Sequence, residues 1–389
     1  MDSNVPPQDG QSPPPYSPPP LSSVRPPPIM APLAAARPAR KGTGWKIFAI
    51  ILVVVLLFSL FLNFAHLVGS VTGAGGGKGY HSYGPRLEEV TIRDDNSVNK
   101  IAVVPIEGII TGQVADGGFS MVTVIKEELK RARDDHEVKA VILKVDSPGG
   151  EVLASDEIAN AVREFEKPKD GKPGKPVIVS MGSLAASGGY YVSAPSEWIV
   201  ANELTITGSI GVIMSGFNYR GLLDKIGVRP QVFKSGKYKD MLSGTKTPEE
   251  VTPEEKQMVQ NLIDETFGKF KSVVRKGRDA AYDSNNHTGS RLSGDWEDYA
   301  DGRILSGTEA KRLGFVDELG DFETALSRAR TIAGVSDADL VQYQPIFDLS
   351  NLFHLFGKSD AKAVKVDLGV DVPQLHAGYM YFLSPTYLQ

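Results

Sequence analysis

From Ile47 to Val68 the chain reads IFAIILVVVLLFSLFLNFAHLV, 22 residues without an Asp, Glu, Lys or Arg. A helix of this length, at about 1.5 Å per residue, covers a hydrocarbon core of about 30 Å, so the run predicts a transmembrane helix. It is longer than the apolar region of a cleaved leader, and so is the polar segment before it. The glycines after Val68 supply the small residues that cleavage needs, so removal of the anchor stays open. Arg37, Arg40, Lys41 and Lys46 precede the run, and only Lys78 and Arg86 follow soon after it. Positive charge is retained on the cytoplasmic side, which puts the N-terminus inside and everything beyond residue 69 outside the cytoplasm.

Residues 1–46 hold 13 of the 26 prolines and almost no aromatic or β-branched residues. Such a segment cannot bury enough apolar surface to offset its ordering entropy and is expected to be a disordered cytoplasmic tail. The run PPPYSPPP, Pro13 to Pro20, favours polyproline II and offers a ligand to a proline-binding module, the plain alternative being a spacer. The tail is net +3, leaving −8 of the formal −5 for the rest, so no basic nucleic-acid surface is indicated. The absence of cysteine is compatible with an extracytoplasmic location. GAGGGKGY, 73–80, superficially resembles a phosphate loop, but Gly79 stands where Ser or Thr must follow the lysine and no strand precedes it. Residues 69–97 are read as a flexible linker.

Beyond residue 97 short apolar runs alternate with helical stretches. KIAVVPIEG, a helical segment from Met121 to Arg133, KAVILKVDSPGG, an amphipathic stretch from Val152 to Phe165, KPVIVSMGS, a small-residue helix at Ser187, SEWIVA and RPQVFKSG follow in order. Continuous apolar strands separated by helices predict an α/β domain whose sheet is covered on both faces. A long helix then starts acidic and ends basic over TPEEVTPEEK to VVRKGR, and DGRILSGTEAKRLGFVDELG leads into a final helix. No internal repeat is visible, so one catalytic domain is expected. The last part of the chain, including NLFHLFG at 351–357 and an apolar stretch at Tyr379 to Leu383, is too short for a second span.

Three segments could carry chemistry. DSPGG, Asp146 to Gly150, follows an apolar strand and precedes a helix, so its amides can face a substrate carbonyl, although a plain strand-to-helix turn looks the same. MGSLAASGGYY places Ser187 at the beginning of a helix, where amides such as that of Gly188 favour developing negative charge; a small-residue packing face is the alternative. About fifty residues on, FKSGKYKDML offers Lys234, Lys237 and Lys239 as amine bases or as a solvated charge cluster, with nothing in the pattern to choose among them. Serine activated by lysine needs neither histidine nor metal. His136 and His287, two of six histidines, fall in expected exposed loops.

Taken together, DSPGG, MGSLAASGGYYVSA, TITGSIGVIM, KSGKYKDML and DGRILSGTEAKRLGFVDELG, in this order, resemble the signal peptide peptidase A family, membrane-bound serine peptidases of the S49 type, in its short single-domain form. The likeness extends over about residues 98–335, leaving 336–389 as an extension without a matching motif. It implies a crotonase/Clp-peptidase-like fold of repeated ββα units, with Ser187 as nucleophile and Lys239 as general base. It further implies that Ser209 orients the base and that Gly188 and either Gly149 or Gly150 supply oxyanion amides. No metal or cofactor is implied. In this family the lysine reaches the serine across a subunit boundary, so a ring-like homo-oligomer with shared sites is expected, acting on cleaved signal peptides and other short apolar peptides. The rival expectations are a non-proteolytic membrane scaffold of the same fold and a crotonase-like acyl-thioester enzyme. Against the second, the sequence offers no obvious acidic base beside the glycine turns, and a membrane anchor would be unusual for such an enzyme.

Overall fold

The computed structural model describes residues 43–72, 84–114, 118–345 and 380–383. The proline-rich tail through residue 42, residues 73–83 of the expected linker, and NLFHLFG lie outside the described residues, whereas the remainder of the linker includes a strand, Leu87–Arg93. The chain divides into two units, Met1–Gly79 and Tyr80–Gln389.

In the first unit the apolar run forms helix α1 (Thr43–Thr72), 30 residues long. Its side chains are described for residues 46–61, and all but that of Ala49 are exposed, on every side of the helix. Among the described residues no helix is long and apolar enough to cross a membrane. The described side chains of α1 stop at Phe61, within the apolar run.

The second unit is mixed α/β. It begins with β1 (Leu87–Arg93), β2 (Lys100–Glu107), α2 (Met121–Asp134), β3 (Val138–Ser147), β4 (Gly149–Glu151) and α3 (Val152–Phe165). Then come β5 (Val177–Ala186), α4 (Gly188–Ser193), β6 (Trp198–Ala201), β7 (Ile206–Gly208), α5 (Arg220–Lys225) and α6 (Pro253–Ser284). It closes with β8 (Ile304–Ser306), α7 (Gly307–Leu313), β9 (Glu318–Leu319), α8 (Phe322–Ala333), β10 (Asp339–Pro345) and β11 (Tyr381–Leu383).

Nine strands form one sheet in the order β1-β10-β2-β3-β5-β6-β9, with β7 joined to the far end of β5 and β8 to β7. Every pair from β10 to β9 along this path is parallel; among the described residues of this sheet β1–β10 and β7–β8 are the antiparallel pairs, and β11 pairs antiparallel with β4 in a separate two-stranded sheet. The sheet continues past residues 98–335 at both ends, since β1 precedes that range and β10 follows it.

Successive strand side chains point to opposite faces, and both faces are covered. On β2 and β3, Ala102, Val104, Val141, Leu143 and Val145 pack on one side with α2, α3 and α6, through Leu129, Ile158 and Phe270. Ile101, Val103, Ala140 and Ile142 pack on the other with Ala325, Leu326 and Ala329 of α8. Each fully buried aliphatic side chain contributes about 1.5–3 kcal/mol relative to exposure. That explains why these strands read as unbroken apolar runs.

The helices follow from the same chemistry. On α3, Ala154, Ile158, Val162 and Phe165 recur at helical spacing on the buried face, and Pro168 prevents continuation. On α6, Thr252 and Glu255 form a capping box around Pro253, so the first amides of the 32-residue helix are satisfied. RPQVFKSG, read as an apolar strand, forms none: residues 229–236 are irregular, with Val232 55% and Phe233 94% exposed. Among the described residues no strand pairs with them, so nothing favours an extended conformation.

Candidate active site

Parallel register brings three strand ends to one place. Ser147 of β3 lies opposite Ala185 of β5, and Ala185 and Ala186 lie opposite Thr207 and Gly208 of β7. The residues that leave these strands are therefore neighbours: Gly149 after β3, Ser187 after β5 and Ser209 after β7. Carboxyl ends of parallel strands are where such sheets present binding groups.

A bulge adjusts the first of these ends. The β3–β5 register shifts between Val145 and Ser147, and there Leu184 N–H donates to Asp146 Oδ1 at 3.0 Å. Asp146 thereby holds the last turn of β5 that delivers Ser187. The DSPGG motif flags this aspartate, but its positioning contact needs the folded register.

Ser187 is 1% exposed and has φ 55°, ψ −115°, a conformation that costs a non-glycine residue about 1–3 kcal/mol unless its surroundings hold it. Two backbone bonds do so. Its N–H donates to Gly208 O at 2.9 Å, and its carbonyl accepts from Tyr191 N–H at 2.8 Å, opening α4. The Ser187 side chain makes no capping bond to α4.

Glycine is required where the first two turns meet. Gly149 has φ 102°, and a Cβ there would lie 2.6 Å from Gly188 N and 1.9 Å from Phe382 O. A Cβ on Gly188 would lie 2.7 Å from Ser155 Oγ and 3.0 Å from Gly150 N. The amide of Gly188 thus sits directly against the DSPGG turn. Gly149 N–H donates to Ser147 Oγ at 3.1 Å.

Ser209 is 3% exposed, has φ 50°, and is held by its N–H donating to Arg303 O at 2.7 Å. It borders a cavity of about 430 Å³ shared with Val212, Ile213, Asp264, Phe267 and Leu383. A cavity of about 500 Å³ lined by Arg163, Glu166, Val273 and Lys276 touches none of the predicted site residues.

The lysines lie elsewhere on the chain. Lys234 Nζ is held by both carboxylate oxygens of Asp240 at 2.8 Å. Lys237 Nζ sits over the Tyr238 ring, 4.8 Å from its centroid, and its pKa is raised, first by the hydrogen bond to Tyr238. Lys239 is exposed, and among the described residues its Nζ has neither an ion pair nor a hydrogen bond. The fold thus brings Ser187, Gly188, Gly149, Gly150 and Ser209 together; no described contact joins Lys239 to them. His136 and His287 are both exposed, the His287 ring lying 4.7 Å from that of Tyr282 at a tilt of 39°.

With this geometry in view, residues 169–336 match the model of peptidase family S49. The chain is 37% identical over 262 residues to the "Putative signal peptide peptidase SppA" of Enterococcus faecium, covering 66% of this chain and 71% of that one. It is 35% identical over 248 residues to protease 4 of Haemophilus influenzae, 64% of this chain and 37% of that one. Over 241 residues it is 30% identical to the chloroplastic serine protease SPPA of Arabidopsis thaliana, 61% of this chain and 33% of that one. The chain belongs to peptidase family S49 and is a serine peptidase.

Proposed function

We propose that this protein is a membrane-anchored endopeptidase with a Ser187–Lys239 dyad. In this reading it cleaves remnant signal peptides and other short apolar peptides at the extracytoplasmic membrane face through an acyl-enzyme. The observation that carries the reading is the Ser187 turn: a buried serine held at φ 55° at the end of β5, with the Gly188 amide against DSPGG.

The chemistry follows from that arrangement. Neutral Lys239 takes the proton as Ser187 Oγ attacks the substrate carbonyl carbon. The resulting oxyanion is met by the N–H of Gly188 and by a DSPGG amide, from Gly149 or Gly150. Collapse expels the amine, which receives its proton from the lysine, and water activated by the same amine then releases the acyl group. Ser209 orients the lysine amine toward Ser187.

Lysine can act as base only if its pKa falls from about 10.4 toward about 7–8, which requires burial. Lys239 is exposed in the single chain, and the same stretch of chain, residues 217–239, leaves large apolar side chains uncovered: Phe217 is 92% exposed, Leu222 61%, Ile226 64% and Phe233 94%. A second copy of the chain packed on this arm would bury those side chains and carry the amine to a neighbouring Ser187, which is the shared site of a ring-like homo-oligomer. The anchor is α1, whose described apolar side chains are exposed all round, as suits a helix solvated by lipid. Strand ends that meet at a buried serine also support kinship with the crotonase/Clp-peptidase fold.

Hydrolysis of an internally quenched apolar peptide by the detergent-solubilised full chain tests this function. Turnover is expected for wild type and not for Ser187→Ala of unchanged circular dichroism. A folded, oligomeric wild type without turnover on any apolar peptide would favour the scaffold reading.

A further inference from the structure

Asp240 follows Lys239 directly, an awkward neighbour for a general base. A carboxylate one residue away favours the protonated ammonium, the form that cannot accept a proton from Ser187. The fold meets this charge within the same segment. Both Asp240 oxygens accept from Lys234 Nζ at 2.8 Å, and Oδ1 also lies 3.5 Å from Lys246 Nζ. One carboxylate thus faces two cations, and the Lys234 ammonium, ahead of any other cause, holds Asp240 below the usual carboxylate range.

Both cations are themselves fixed. Lys234 Nζ also donates to Lys237 O at 3.1 Å, closing residues 234–240 into a loop. Lys246 is 9% exposed and donates to Glu255 Oε1 at 2.7 Å. The other oxygen of Glu255 accepts from Thr252 N–H in the capping box that starts α6, so Lys246 is set by a 32-residue helix and not by the loop alone. Short-range backbone bonds, from Lys239 N–H to Gly236 O and from Met241 N–H to Tyr238 O, turn the chain so that the Asp240 carboxylate lies inward while Lys239 stays exposed. The other charged or titratable groups around Asp240, namely Arg220, Lys237, Tyr238 and Glu250, line the same cavity of about 440 Å³. Arg220 is committed to Asp224, and Glu250 to the Thr247 N–H. Four cations therefore stand against three carboxylates among the lining residues, a balance that favours the uncharged form of an adjoining amine.

We propose that Lys234 and Lys246 are positioning residues for the base: together they neutralise Asp240 and hold it inward, so that it neither keeps a proton on the Lys239 amine nor enters the site as a competing acceptor. The inference rests on Lys239 being the general base. It gives the lysines of this segment separate tasks, one as base and two as counter-cations, where the sequence pattern alone leaves them interchangeable. Removing the Lys234 cation strengthens the field of Asp240 and makes the Lys239 amine harder to deprotonate. Removing the Asp240 carboxylate does the opposite, and removing both restores the balance.

The test follows kcat/KM on a quenched apolar peptide, and the rate of fluorophosphonate labelling of Ser187, from about pH 5 to 10 in the detergent-solubilised full chain. Lys234, with 36% of its side chain exposed, tolerates truncation better than the enclosed Lys246. In Lys234→Met the acidic limb of both profiles should move up by about 0.5–1 pH unit, and in Asp240→Asn it should move down by a similar amount. The double variant Lys234→Met/Asp240→Asn should return toward wild type, and Lys234→Arg, which keeps the cation, should match it. A merely structural ion pair would lower kcat/KM at every pH without opposite displacements of the limb. Limbs that stay fixed or move the same way in the two single variants, or a loss in Lys234→Met that Asp240→Asn does not relieve, would overturn the proposal. Lys239→Ala separates the failures. If it labels at the wild-type rate, the dyad falls and this inference with it; if it does not label while the limbs stay fixed, this inference alone falls.

Discussion

Ser187 N–H donates to Gly208 O at 2.9 Å, tying the turn that carries the proposed nucleophile to the strand end that carries Ser209. The two serines, 22 positions apart, are therefore set by one backbone bond between adjacent parallel strands, not by their own side chains. Ser187, Gly208 and Ser209 all have positive φ, of 55°, 72° and 50°, so strain is concentrated where the chemistry is assigned.

Gly188→Ala should keep the fold and lose most of the activity. The added Cβ meets Gly149 Cα and Gly150 N at 3.0 Å, forcing the Ser187 turn away from the DSPGG amides. A displacement on the order of 1 Å at a reacting centre costs about 10²-fold, so kcat should fall by about that factor with circular dichroism unchanged. Steady-state kinetics of the purified variant checks this.

Arginine cannot become neutral near pH 7, so Lys239→Arg should be as inactive as Lys239→Ala even though charge and length are retained. Lys234→Arg should remain active, because Lys234 is already committed to Asp240 as a cation. Retained activity in both arginine variants would mean that the segment serves by charge alone.

A shared site predicts complementation. Ser187→Ala and Lys239→Ala chains, each inactive, should regain activity when mixed and reassembled, up to about a quarter of wild type for random pairing of neighbours. Reassembled oligomers that stay inactive would place serine and lysine in the same chain.

Glu128, on the buried face of α2, has its pKa pushed up to about 8 by burial. Folding then favours the protonated carboxyl, so the native state binds more protons than the unfolded chain between about pH 4.5 and 8 and stability falls as pH rises, by up to about 1.4 kcal/mol per pH unit. Glu128→Gln should lose this dependence and be the more stable form at pH 8. Urea titrations of both at pH 5.5 and 8 measure it; parallel pH profiles would contradict the assignment.

Much of the fold was legible because local and global signals agree. Val152–Phe165 was expected as an amphipathic stretch and is α3, and KAVILKV lies within β3, since two covered faces demand unbroken apolar residues. What escaped was non-local. β10 inserts between β1 and β2, pairing Leu340 with Ile101 across most of the domain, and no local pattern announces such a partner. The DSPGG and Ser187 turns were marked by their glycines, but the positive φ of Ser187 and the anchoring carbonyls of Gly208 and Arg303 come from strand register. The expected strand at RPQVFKSG was read from apolarity alone, and its exposed Phe233 indicates that whatever covers it is not in this chain's described residues.

The most direct test is to treat the full-length wild type, Ser187→Ala and Lys239→Arg with a fluorophosphonate and map the adduct by mass spectrometry. The account predicts one adduct, on Ser187, absent in Ser187→Ala and lost or greatly slowed in Lys239→Arg. An adduct on another serine, or labelling of Ser187 at the wild-type rate in Lys239→Arg, would contradict the dyad.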